Sequence, residues 1–185
     1  MTMPWLAELT GGRKRSRLNR VPSPVLAIAA PWITIMIASL APALPVVASA
    51  PILPPLGFMM LLAWRQIRPG LLPVWAGLPL GMFDDVFSGQ PFGSAAFLWS
   101  VTMLLYELIE ARFPWRSFAI DWLIAAASLA AYILLSAVIA VGGLAPLLIL
   151  SLGPQLVLAI LLFPLTGRVV ARADQLRLVP FVEIA

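Results

Sequence analysis

A chain of 185 residues that is 62% apolar and only 11% charged, with a mean hydropathy of +1.00, does not describe a water-soluble globule. Such a domain carries about 25% charged residues. The formal charge is +4 and the chain contains neither Cys nor His, which excludes disulfides, thiolate nucleophiles, Cys-ligated metals, imidazole bases and Ser-His triads.

Six membrane spans of about 20 residues need about 120 residues, so little chain is left for a soluble catalytic domain. The placement of charge supports that number. No charged residue occurs from Val21 to Trp64 or from Trp122 to Gly167, and each stretch is long enough for two spans. The 12 cations fall in four clusters: Arg13, Lys14, Arg15, Arg17 and Arg20; Arg65 and Arg68; Arg112 and Arg116; Arg168, Arg172 and Arg177. If each intervening stretch crosses twice, every cation lies on one side, which the positive-inside rule assigns to the cytoplasm. The expected architecture is an all-α polytopic membrane protein of six short, kinked helices with both termini inside.

In chain order, residues 1–23 read as a basic cytoplasmic tail that can touch anionic lipid. The stretch Arg13–Ala50 has the look of a signal peptide, but its apolar part is long and Pro51 follows the would-be cut, so an uncleaved first span is expected. The spans read Val25–Leu44, Ile52–Trp64, Leu71–Ser88, Phe92–Ala111, Ala119–Val141 and Leu144–Thr166, within a transmembrane domain over 24–167. Residues 168–185 form a C-terminal cytoplasmic tail. Pro51, Pro54 and Pro55 leave the second span little regular helix, and backbone of that kind must be covered by protein rather than lipid. Tight outer turns are expected at Gly89–Pro91 and Gly142–Gly143.

Asp84 and Asp85 are the unusual residues. They lie ~20 Å along the third span, and carboxylates at membrane depth are costly and point to function or to specific packing. Being adjacent, they point about 100° apart on a helix, so one is expected to face the interior. Two readings stand side by side: one acid holds the turn at Ser88–Gly93 while the other reaches the interface, or the pair contacts a partner or ligand. Glu107, Glu110 and Asp121 sit near the inner face, too far in depth to complete an aspartyl dyad. Asp-Asp-Val-Phe-Ser lacks the final acid of a magnesium-binding DDxxD motif, and Lys14, in the tail, is the one lysine. No enzymatic activity and no cofactor or metal is expected. Gly77 and Gly81 form a GxxxG pair that admits a close helix, as do Ala126/Ala130 and Ala127/Ala131. Gln155, beside Pro154 near the midplane, needs a polar partner. Glu107, Glu110 and Arg112 read as interfacial, and Trp64, Trp99, Trp115 and Trp122 as interface anchors.

The segment Pro55–Tyr106 carries an apolar run ending in Trp64, then Arg68-Pro69, then Gly81-Met82-Phe83-Asp84-Asp85-Val86-Phe87-Ser88-Gly89-Gln90-Pro91-Phe92-Gly93. This resembles MreD, the bacterial rod-shape-determining membrane protein family, with Asp85 at the family's aspartate and Asp84 an additional acid. The resemblance covers about 50 residues. It implies a family-motif or partner interface at Trp64, Pro69, Gly77, Gly81, Asp84, Asp85, Gly89, Pro91 and Gly93. It also implies a fold similar to the S component of energy-coupling-factor transporters. The function it implies is a non-enzymatic inner-membrane subunit of the cell-elongation machinery. Its partners would be an MreC-like bitopic protein and, indirectly, an MreB-like actin homologue and the elongation glycosyltransferase and transpeptidase, with no nucleic acid involved. A vitamin-transporter S component is the alternative. It is weakened by minimal outer loops and by the absence from the first span of the AxxxA pattern common in such subunits.

Overall fold

The computed structural model describes residues 20–21, 24–43, 53–113, 117–143, 146–177 and 182–183, with backbone alone at 20–21, 24–27, 146–150 and 182–183. Six helices follow in order: α1 Pro24–Ser39, α2 Leu56–Ile67, α3 Gly77–Ser88, α4 Ser94–Arg112, α5 Phe118–Val141 and α6 Pro146–Arg177. Short 3-10 turns occupy Ala41–Ala43 and Val74–Ala76. Arg20–Val21 pairs antiparallel with Val182–Glu183, so the chain segments before α1 and after α6 lie together. Otherwise the described chain is all-helical.

Proline sets most of the boundaries. Where an expected first span runs to Leu44, α1 stops at Ser39, because Pro42 has no amide hydrogen to donate back into the helix and the chain tightens into the 3-10 turn Ala41–Ala43. The second span begins late, at Leu56 after Pro54-Pro55, and continues through Arg65 to Ile67 until Arg68 meets Pro69. Pro73 delays the third helix, whereas Pro79 sits in the first turn of α3, where a missing amide donor costs nothing. The sixth helix continues past Thr166 through Arg168 and Arg172 to Arg177. The signal-like ending Ala48–Pro51, the basic run Arg13–Arg17, Trp115 and Arg116 lie outside the described residues.

Three helices are long and apolar enough to cross a membrane: Ser94–Arg112, Phe118–Val141 and, within α6, Ser151–Arg177. The 12-residue helices α2 and α3 are about 18 Å long, short of the ~30 Å hydrocarbon layer. Their burial explains how they are used. Every residue of α2 from Gly57 to Arg65 is buried, which is what a helix apolar on all sides requires. α1, α5 and α6 pack around α2, and α3 pairs closely with α4. Pro54 is likewise buried, so the non-helical entry to α2 is sheltered by protein, and Gln155 Nε2 donates to the Leu53 carbonyl at 2.7 Å.

The tryptophans correct the expected pattern. Trp64 and Trp99 are 1% and 0% exposed and belong to the core rather than to an interface belt. Trp64 Nε1 donates to Thr34 Oγ1 at 2.8 Å. Among the described tryptophans Trp75 is the exposed one, at 65%.

The GxxxG pair is consumed internally. A Cβ on Gly77 would lie 2.9 Å from the backbone of Trp99 and Ser100, and one on Gly81 would lie 2.6 Å from Ala96 Cα. Backbone cannot swing away as a side chain can. Gly81→Val should therefore lower unfolding stability in detergent by about 1–3 kcal/mol or more. Gly153→Ala, where nothing lies within 4 Å, should leave the thermal midpoint near wild type. Equal midpoints for the two variants would contradict this packing.

Candidate functional site

α3 is embedded on more than one side, so both adjacent aspartates are buried. Asp84 is 6% and Asp85 4% exposed, where the 100° offset alone had placed one inside. They serve different neighbours.

Asp85 turns toward α4. Gly93 precedes that helix with φ +94° and has no side chain to cap it. The four first amides of any helix lack intrahelical partners, and Asp85 supplies what Gly93 lacks. Its Oδ2 accepts from the Gly93 and Ala96 amides at 2.9 and 3.2 Å. Its Oδ1 accepts from the Ala95 amide at 2.8 Å and the Ser94 hydroxyl at 3.2 Å. A carboxylate is also the charge that the positive end of α4 favours. Gly89 (φ +69°) ends α3 and Gly93 starts α4, both in the left-handed region that glycine tolerates.

Asp84 turns the other way, toward the entry of α2. A Cβ on Gly57 would lie 2.9 Å from Asp84 Oδ1 and 2.1 Å from Ser39 Oγ, so both side chains occupy the space glycine leaves open. The hydroxyls of Ser39 and Tyr132 face this carboxyl, and the Trp99 indole N–H and Gln90 face Tyr132. Ser39, Tyr132 and Trp99 are 1%, 3% and 0% exposed, and the polar atom of each lacks a hydrogen bond of acceptable geometry. Phe58 closes the cluster, stacked on Tyr132 at 4.3 Å between centroids and tilted against Trp99 at 5.8 Å.

A second polar group sits at the other end of α2, about 12 Å from Gly57 along the helix. Arg65 is 2% exposed, and its guanidinium donates to Glu110 Oε1 at 3.1 Å, to Glu110 Oε2 at 2.7 Å, to Glu107 and to the Leu72 carbonyl at 3.2 Å. Glu107 and Glu110, read as interfacial acids, also pair within the chain, because α4 delivers them one turn apart toward Arg65, and Glu107 stays exposed. Gln66 Nε2 donates to the Asp121 carbonyl of α5 at 2.7 Å, and Arg68 Nε to Asp174 Oδ2 of α6 at 2.9 Å. Asp174 also accepts from Arg177 Nε at 2.6 Å, and the Arg177 guanidinium lies 5.7 Å from the Trp64 ring. The hydrogen bond and charge of Asp174 hold the exposed Arg68 guanidinium above its ordinary pKa, against a smaller desolvation effect.

The nine motif residues therefore do not form one site. Trp64 and Pro69 stand at and just past the C-terminal end of α2, with Pro69 exposed; Gly77 and Gly81 line the contact with α4; Asp85, Gly89, Pro91 and Gly93 shape the turn from α3 to α4, where Pro91 is exposed. Asp84 alone enters the cluster with Ser39, Trp99 and Tyr132. Sequence reasoning missed those three partners, because nothing in an apolar helix marks which of its few hydroxyls faces an acid two helices away.

Apart from the Arg20–Val21 and Val182–Glu183 pairing, the described secondary structure is helical, and three of the helices are long and apolar enough for a membrane protein. Comparison with known protein families, with curated proteins and with solved structures finds no match.

Asp85→Asn provides the local test. The amide keeps the size but turns an NH2 toward amides that need an acceptor, at about 1–3 kcal/mol for each buried donor left unpaired. The variant should unfold at clearly lower temperature than wild type, and Asp85→Glu should not restore it fully. A variant as stable as wild type would remove Asp85 from its capping role.

Proposed function

We propose that the chain is a non-enzymatic, multi-pass scaffold of the bacterial inner membrane, of the MreD kind. In this reading it docks an MreC-like bitopic protein and serves the peptidoglycan-synthesis complex that maintains rod shape. The observation that carries the reading is where the motif's side chains go. Gly77, Gly81, Asp85, Gly89 and Gly93 are all spent on joining α3 to α4, which makes these five residues a shape-determining corner. The chain then offers partners its apolar faces. Along α4, Phe97, Leu104, Leu105 and Leu108 are 63%, 55%, 52% and 66% exposed and form one such stripe, suited to lipid or to a transmembrane helix.

Six crossings with both termini in the cytoplasm agree with six described helices and with the pairing of Arg20–Val21 to Val182–Glu183, which joins the two ends. In that topology α2 completes its crossing with the non-helical Leu53–Pro55, where Pro54 is buried, and α3 with the 3-10 turn Val74–Ala76, where Ala76 is buried. Such backbone is tolerated at depth when protein covers it.

The chain has no native Cys, so single cysteines report topology cleanly. In intact spheroplasts, Phe92→Cys should react with an impermeant thiol reagent and Ser117→Cys should not; both positions are exposed. Affinity purification in mild detergent should retain an MreC-like chain through its transmembrane segment, and depletion should round rod-shaped cells. A purified chain that retains no such partner and binds a vitamin at nanomolar affinity would overturn the scaffold in favour of a transporter subunit.

A further inference from the structure

The cluster around Asp84 is over-supplied with negative charge and with unused oxygen. Asp84 and Asp85 contribute two carboxylates, and the charge bearing on Asp84 is that of Asp85. Arg65, Arg68 and Arg177 gather at the opposite end of α2. Two helix N-termini offset part of the charge: α4 above Asp85 and α2 beside Asp84, each equivalent to roughly half a positive charge. About one negative charge is left over among buried side chains, where an unpaired ion is heavily penalised.

Hydroxyl oxygens converge on the same place. Ser39 Oγ meets Asp84 Oδ1 at Gly57, and Tyr132 faces the carboxyl from α5. Ser88 stands one turn after Asp84 on the same face of α3, and its Oγ is also buried without a partner. Ser39 closes the C-terminal end of α1 and Ser88 that of α3, and helix C-termini favour cations. Hard oxygen donors without nitrogen or sulfur suit alkali and alkaline-earth ions. Among the described residues no three acidic, His or Cys side chains gather as a multivalent metal would require.

We propose that Asp84 anchors a site for one small monovalent cation, ligated by its carboxylate and by the hydroxyl oxygens of Ser39, Ser88 and Tyr132. The ion balances the residual charge, uses lone pairs that a proton on Asp84 would leave idle, and ties α1, α3 and α5 together beside the entry of α2. Gly57 is required because any side chain there would fill the position of Ser39 Oγ. The site is independent of the scaffold reading, since no partner contributes to it.

The test is ion-dependent stability of the purified full-length chain in detergent. Sodium chloride is raised from sub-millimolar to several hundred millimolar while choline chloride holds ionic strength constant, with lithium and potassium series alongside. A ligand that binds only the folded state raises the melting temperature with its concentration. A rise of several degrees is expected with sodium or another of these ions and none with choline alone. Asp84→Asn should abolish the dependence, and Ser39→Ala should move its midpoint to about tenfold higher ion concentration. Identical melting temperatures of the wild-type chain in sodium, lithium, potassium and choline would overturn the proposal, as would an ion dependence that persists in Asp84→Asn. The wild-type titration decides the matter even if a variant fails to fold.

Discussion

A guanidinium buried to 2% exposure must be met by acceptors on every side, and Arg65 is met by Glu110 at two oxygens, by Glu107 and by the Leu72 carbonyl. Those contacts fix the inner end of α2 against α4. One residue on, Gln66 reaches α5; three residues on, Arg68 reaches α6. A single turn of the shortest kind of helix in the bundle thus sets the position of all three helices long enough to span a membrane. Because α2 is apolar on all sides above that turn, its neighbours can close around it completely, and Trp64, Met59, Leu61 and Leu62 become the core. In lipid, where apolar contact between helices is weakly driven, polar ties and close packing decide which helices meet.

Much of this order was legible in the sequence, and the reasons differ by element. Charge-free stretches separated by basic clusters placed six helices near their observed positions, although the last runs on through Arg168 and Arg172 to Arg177. Close packing at Gly77 and Gly81 was also legible, since spacing four apart puts both on one face. The inner-end ties were not. Arg65 and Arg68 read as topology signals, for a cation at a helix end looks the same whether it faces water or a carboxylate from another helix. Trp64 and Trp99 misled for a similar reason: tryptophan near a span end is as compatible with a buried contact as with an interface. The second span, with its run of prolines, read as the weakest and is the helix everything else surrounds.

Asp84 and Asp85 show how neighbouring residues of one type take separate work. From the second half of α3, Asp84 faces the beginning of α2 and Asp85 the beginning of α4. Asp85 is satisfied by four donors, which makes it a rigid corner piece. Asp84 is faced by the hydroxyls of Ser39 and Tyr132, which make no hydrogen bond of good geometry, beside the stacked Phe58 and Tyr132 rings. A corner that is fixed and a cluster that is not are therefore adjacent in sequence, on neighbouring residues of α3. Exposed apolar side chains line the outer sides of the helices, as at Ile37 of α1, Val86 of α3, Leu108 of α4, Leu123 of α5 and Leu161 of α6.

The central claim is that the Arg65–Glu110 contact positions the bundle, and a double-mutant cycle addresses it most directly. Unfolding free energies would be measured for Arg65→Met, Glu110→Met and the double variant in the same detergent. Removing one partner of a buried pair strands the other, at about 3–5 kcal/mol, whereas replacing both with apolar side chains of similar volume is often close to neutral. The account calls for two strongly destabilised single variants and a double variant more stable than Arg65→Met alone or Glu110→Met alone. Single variants near wild type, or a double variant whose loss equals the sum of the two, would contradict it.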